Sequence, residues 1–167
     1  MWPTLRHSDQ ILVFKLPYVL NRLWWFGEWQ PVQSRDIIVF KSPEDTTKQY
    51  VKRVIAVGPP RQASNNTVDA EHRADAPGVD RRVPVRIEEG RIYVNNQRLN
   101  ENYLPPEAVE SRETQGEVLL GPGEVYVLGD NRAVSRDSRN FLALPQDLIL
   151  GKALFRFWPL QRIGLVK

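Results

Sequence analysis

Seven short runs rich in Val, Ile and aromatic residues, at positions 11–14, 36–40, 50–57, 83–87, 91–94, 124–128 and 150–157, are set off by Gly, Pro or Asn. Such side chains suit a pleated, half-buried surface, and turn residues at this spacing favour many short strands over long helices. The chain is therefore expected to be mainly β, built of antiparallel sheets with long loops and little helix. Glu88-Glu89-Gly90 reads as a hairpin connection, and Asn95-Asn96 ends the next run with residues that tolerate turn conformations. Gly121-Pro122-Gly123 turns the chain into another strand, and only 144–148 suggests a short helical turn.

A chain of 167 residues fits one core, so a single domain over 1–167 is expected. Positions 61–82 hold Asn, Asp, Ala, Arg, Gly and Pro with almost no large apolar side chain, and read as a mobile insertion. A second polar excursion covers 105–116. Hydrophobic residues at 41% and charged residues at 26% exclude a disordered or fibrous chain. The net charge of +3, from 23 basic and 20 acidic residues, is too small to indicate nucleic acid as a partner. Without cysteine there is no disulfide and no thiolate metal site, and His7 and His72 are too few and too isolated for zinc. No metal or organic cofactor is expected.

No stretch approaches the roughly 18 consecutive apolar residues of a membrane-spanning helix, and the opening Met1-Trp2-Pro3-Thr4-Leu5 lacks the pattern of a secretory signal. Trp24, Trp25, Phe26 and Trp29 crowd into six residues. Rings with polar edges gather at membrane–water interfaces, but the same cluster also fits the edge of a core with some rings exposed.

Lys52 stands inside the apolar run 50–57, where a period of two puts Tyr50, Lys52 and Val54 on one face and Val51, Arg53 and Ile55 on the other. Facing inward, its amine would be desolvated and brought towards neutrality, as a base requires; on an edge strand it would face water. The segment 129–139 packs Asp130, Asn131, Arg132, Ser135, Arg136, Asp137, Ser138 and Arg139 behind an apolar strand. So many polar groups at a strand end need mutual partners. Asp137 with Arg139, or Asp130 with Arg132, would make the loop rigid and leave Ser135 or Ser138 to orient a neutral amine; the other reading is a solvated turn.

Four strings together carry a more specific likeness. GDNRAVSRDSR resembles the signature loop of type I signal peptidases, YVKRVI their general-base strand, MWPTL the segment after their nucleophilic serine, and RDIIVF the strand between these two. They occur in the family's order, and a weaker likeness over 83–104 extends the match to nearly the whole chain outside 61–82. The resemblance implies antiparallel sheets of the signal-peptidase type and a serine endopeptidase that removes signal peptides from exported preproteins, acting at the outer face of a cell membrane. It implies Lys52 as general base and Ser135 as the hydroxyl that positions the amine. Asp137 and Arg139 would form a supporting pair, within a loop that includes Asp130, Asn131, Arg132 and Ser138. Met1, Pro3, Tyr50 and Val51 would line a shallow apolar groove for small side chains, with the peptide bound as an added strand.

The resemblance places the nucleophilic serine immediately before Met1, and Ser8, Ser34, Ser42 and Ser138 do not match that position. The expectation is a catalytic domain truncated just after its nucleophile, inactive as written, with its membrane anchor also upstream. The alternative is a non-catalytic membrane-surface module that binds extended peptides or partner proteins.

Overall fold

The computed structural model describes residues 1–15, 32–60, 81–109 and 113–166. The Trp24, Trp25, Phe26 and Trp29 cluster lies outside the described residues, as does the expected insertion apart from Arg81 and Arg82. The strands are β1 (Gln10–Phe14), β2 (Ile37–Lys41), β3 (Gln49–Val57), β4 (Val83–Glu88), β5 (Arg91–Val94), β6 (Gln97–Arg98), β7 (Gln115–Leu120), β8 (Glu124–Leu128), β9 (Leu144–Pro145), β10 (Ile149–Trp158) and β11 (Gly164–Leu165). The fold is mainly β, and every pairing among these strands is antiparallel.

They form two sheets. The larger has seven strands in the order β1-β10-β2-β3-β8-β9, with β11 on β10; the smaller has four, in the order β6-β5-β4-β7. The hairpins follow from turn chemistry. Glu89 (φ 48°) with Gly90 (φ 78°), and Asn95 (φ 51°) with Asn96 (φ 62°), are left-handed at both central positions, as the favoured two-residue hairpin turn requires.

Residues 115–120 form β7, where the sequence suggests a polar excursion to 116 and no strand between it and Gly121. Their alternation is masked by Gly116 and Glu117, and the pairing of Val118 with Val85 in β4 supplies what local pattern does not. The short helical turn expected at 144–148 is present as a 3₁₀ turn over Gln146–Leu148, preceded by the two-residue strand β9. Leu144 is drawn into the sheet by pairing with Val125.

The core lies on both faces of the larger sheet. Ile55, Ala56, Tyr126 and Leu128 meet Val85, Ile87, Ile92 and Leu120 of the smaller sheet. On the opposite face Ile38, Phe40, Val54, Val125 and Val127 pack with Leu144 and Ile149. A third cluster joins Leu5 to Ile37 and Ala153, fixing the opening segment against the sheet. A register shift between Val54 and Ala56 opposite β8 inserts Ile55, which explains how two consecutive residues, Ile55 and Ala56, join the same cluster.

Candidate active site

Lys52 lies on β3, an interior strand of the larger sheet, at a point where one edge is paired with β2 and the other is left open by β8; it is half-buried rather than turned fully to water. β2 pairs with it through Ile38, and on the far side β8 pairs with β3 from Arg53 opposite Leu128 onward. Gly129 follows Leu128 directly, where β8 ends and the 129–139 loop begins. Directly opposed residues share a face of the sheet. Val54 and Val127 are such a pair and pack in the cluster of Ile38 and Phe40, and Lys52, two residues from Val54 and opposite Ile38, presents to that side as well.

Ser135 occupies the space that Gly129 leaves. A Cβ on Gly129 would stand 2.0 Å from Ser135 Oγ and 2.5 Å from its Cβ, so only glycine lets the loop close down here. Ser135 Oγ is also the single buried side-chain polar atom among the described residues without a hydrogen-bond partner. A buried hydroxyl left unpaired is expensive in an ordinary loop and is a mark of a functional one.

Lys52 and Ser135 open onto one cleft of about 700 Å³. Met1, Trp2, Leu5, Tyr50 and Val134 supply its apolar wall. Asn131 adds an amide, and Arg6, His7 and Arg136 stand at the rim. Burial holds the Lys52 ammonium below the ordinary lysine range; Asp137 and Asp130 oppose that shift and Arg139 adds to it. Its Nζ lies 5.5 Å from the centre of the Tyr50 ring, and Tyr50 packs edge-on against Phe40.

The loop that carries Ser135 is tied from within. The Asp137 carboxylate accepts from Gly129 N at 2.9 Å, from Arg139 Nε at 2.9 Å and from Arg139 N at 3.2 Å. It also caps the helical turn Ser138–Phe141, with Asn140 closing the capping box. Arg139 reaches back to the carbonyls of Arg132 at 2.7 Å and Ser135 at 3.3 Å. Ser138 faces away from the cleft: its Oγ accepts from Val127 N at 3.0 Å. That leaves Ser135 as the loop hydroxyl beside Lys52.

Asp130 and Arg132 do not pair with each other. Asp130 takes a two-pronged ion pair from Arg53, Nε to Oδ1 at 2.9 Å and Nη2 to Oδ2 at 2.8 Å, with both side chains almost fully buried. Thr4 Oγ1 also donates to Asp130, and Arg53 stacks over the Tyr103 ring at 4.3 Å. Arg132 instead grips Glu101 and the Gly129 carbonyl, the latter at 3.1 Å. The sequence reading missed Arg53. The clue was available, since the period that turns Lys52 to one face turns Arg53 into the other, where a buried guanidinium requires a carboxylate.

Met1 and Tyr50 line the cleft, whereas Pro3 and Val51 are not among its lining residues. Val51 packs against the cluster of Leu5, Ile37 and Ala153, and the Pro3 carbonyl accepts from Arg162 at 3.4 Å. Arg156 and Arg162, both held by the buried carboxylate of Asp9, also bond the Thr4 carbonyl at 2.9 and 3.3 Å, which anchors the segment leading from the cleft. Among the described residues no group of three or more His, Cys, Asp or Glu side chains is arranged to hold a metal ion.

A lysine and a serine hydroxyl opening onto one cleft of a mainly antiparallel sheet scaffold is the class of arrangement in hand. Residues 1–68 and 83–158 match the family described as "Signal peptidase, peptidase S26". The chain is 31% identical over 173 residues to a probable signal peptidase I-2 of Synechocystis sp., covering 99% of this chain and 62% of that protein. It is 31% identical over 175 residues to a signal peptidase I of Bacillus caldolyticus, covering 98% and 78%. A solved signal peptidase I structure from Enterococcus faecalis V583 aligns with a TM-score of 0.46 and 25% identity, over 74% of this chain and 97% of that one. The chain belongs to the signal peptidase family, peptidase S26.

Proposed function

We propose that this chain is the catalytic domain of a serine endopeptidase that removes signal peptides from exported preproteins, with Lys52 as general base and Ser135 orienting its amine. One observation carries the reading: a lysine whose charge is disfavoured by burial shares a cleft with a buried hydroxyl that has no hydrogen-bond partner among the described residues. A lysine base works only when neutral, and desolvation is what makes it so near neutral pH.

The nucleophile is assigned to a serine joined ahead of Met1. This position is supported by Met1, which lines the same cleft as Lys52 and whose α-nitrogen is partly buried near it. The serine oxygen bonds to the scissile carbonyl carbon while its proton passes to Lys52 Nζ. Collapse of the adduct breaks the C–N bond, the proton leaves with the amine, and water deprotonated by Lys52 then cleaves the ester.

The substrate backbone is placed along β3. β2 covers one edge of its first four residues, and among the described residues no strand pairs their other edge, which opens beside the cleft. An extended peptide adding there would present small side chains to the apolar wall.

The membrane surface is the proposed setting. Among the described residues no helix is long and apolar enough to cross a membrane. Exposed Leu12, Phe14, Phe157, Trp158, Ile163 and Leu165 gather where β1, β10 and β11 meet, a region suited to an interface.

The test is a chain extended by a serine ahead of Met1 and assayed on a signal-peptide substrate. Cleavage is expected, with loss of at least about 1,000-fold in Lys52→Ala at unchanged thermal stability. Retained activity in that variant rejects the assignment.

A further inference from the structure

The cleft is electrostatically one-sided. Among the described residues Arg6, His7, Lys52 and Arg136 line it and no acidic side chain does. The carboxylates nearest to it are already engaged. Asp130 is held by Arg53 and Thr4, Asp137 by Arg139 and the Gly129 amide, and Asp9 by Arg156 and Arg162.

The basic groups differ in how far they are neutralised. Arg136 is bound two-pronged by Glu44 from the turn between β2 and β3, Nε to Oε2 at 2.7 Å and Nη2 to Oε1 at 2.6 Å. Lys52 is disfavoured as a cation by its burial. Arg6 is exposed and its guanidinium forms no ion pair among the described residues. Its backbone N–H donates to Asp9 Oδ2 at 2.9 Å, and Asp9 is in turn clamped to β10 through Arg156, so the segment that presents Arg6 is fixed to the sheet.

We infer that Arg6, with His7 beside it, is a specificity determinant that favours peptides carrying an acidic side chain within two residues of the scissile bond. The inference rests on the proposed peptide-cleaving role of this cleft and names which peptides it prefers. A fixed cation at the mouth of a low-dielectric cleft raises the local concentration of anionic ligands and repels cationic ones. The surface pair formed is exposed, so the preference is modest and sensitive to salt. Arg136 contributes little to it, because a peptide carboxylate would have to displace Glu44.

Binding to the 167-residue chain tests this without any need for turnover. Capped peptides built on Ala-Gln-Ala, with Glu, Gln or Lys placed in turn at each position within two residues of the second alanine, are titrated by calorimetry at low and high ionic strength. At one position the Glu peptide is expected to bind about five-fold more tightly than the Gln peptide, and the Lys peptide more weakly than either. High salt should compress the series. Arg6→Gln should abolish the difference at unchanged melting temperature, and the double change Arg136→Gln with Glu44→Gln, which removes the neutral pair as a unit, should leave it in place. Equal affinities for Glu and Lys peptides at every position, or a preference that survives Arg6→Gln, would overturn the inference while leaving the peptide-binding role intact. Absence of binding by every peptide would overturn both.

Discussion

Lys52 shows how a single side chain acquires its chemistry from position. Its amine is not engaged in a salt bridge among the described residues, and burial lowers its pKa in the folded chain below the ordinary value of about 10.4. Between those two values the unfolded chain binds more protons than the folded one, so stability rises with pH across that window. Below the folded pKa the desolvation penalty is present in full. Lys52→Met is therefore expected to be more stable than the parent at pH 7 and to lack the parent's gain on going towards pH 10. Urea melts of both proteins across pH check this, and parallel pH dependences would contradict it. In the serine-extended enzyme the same shift fixes an acid limb of kcat/KM below the ordinary lysine pKa, since protonation removes the base as pH falls.

Among elements, the decisive joint is the one between β3 and the loop that leaves β8. Arg53 and Asp130 bridge it with side chains only 2% and 1% exposed, and Thr4 brings in the opening segment. Removing one member of a buried pair strands the other charge, whereas replacing both by apolar groups is often neutral. Arg53→Met should lower unfolding free energy by about 3 kcal/mol, with most of that regained when Asp130→Leu is added. Denaturant midpoints at constant m-value measure both effects. An Arg53→Met chain of parental stability would mean that the pair does not hold this joint. Gly129 belongs to the same joint, because its missing side chain lets Ser135 settle against the backbone there, on the cleft that Lys52 also lines.

Across the whole molecule, the cleft and the exposed apolar groups of β1, β10 and β11 are linked by the segment from Met1 to Asp9, which lines the former and leads into β1. This arrangement would let a peptide emerging from a membrane enter the cleft directly. Serine at Leu12, Phe157, Trp158 and Leu165 is expected to weaken co-sedimentation with liposomes by several-fold, with peptide binding unchanged. The parallel set at Trp24, Trp25, Phe26 and Trp29 reports on the other proposed contact. Unchanged co-sedimentation in either set rejects membrane contact through that set.

Strand runs and turn pairs were legible in the sequence because they are local: alternation reads out as a face, and Glu89-Gly90 or Asn95-Asn96 reads out as a turn. The motifs also named Lys52 and Ser135, and the pairing of Asp137 with Arg139 lies two residues apart and was open to inspection. Strand β7 was not legible, since it depends on a partner, β4, about 30 residues away. Nor could charge order along 129–139 reveal that Asp130 turns to Arg53 and Arg132 to Glu101, because each partner comes from a distant segment. Sequence determined which residue types and local conformations were available. Tertiary structure decided which charges meet, which hydroxyl among the described residues is left without a partner, and that the lysine is buried enough for desolvation to weaken its hold on a proton.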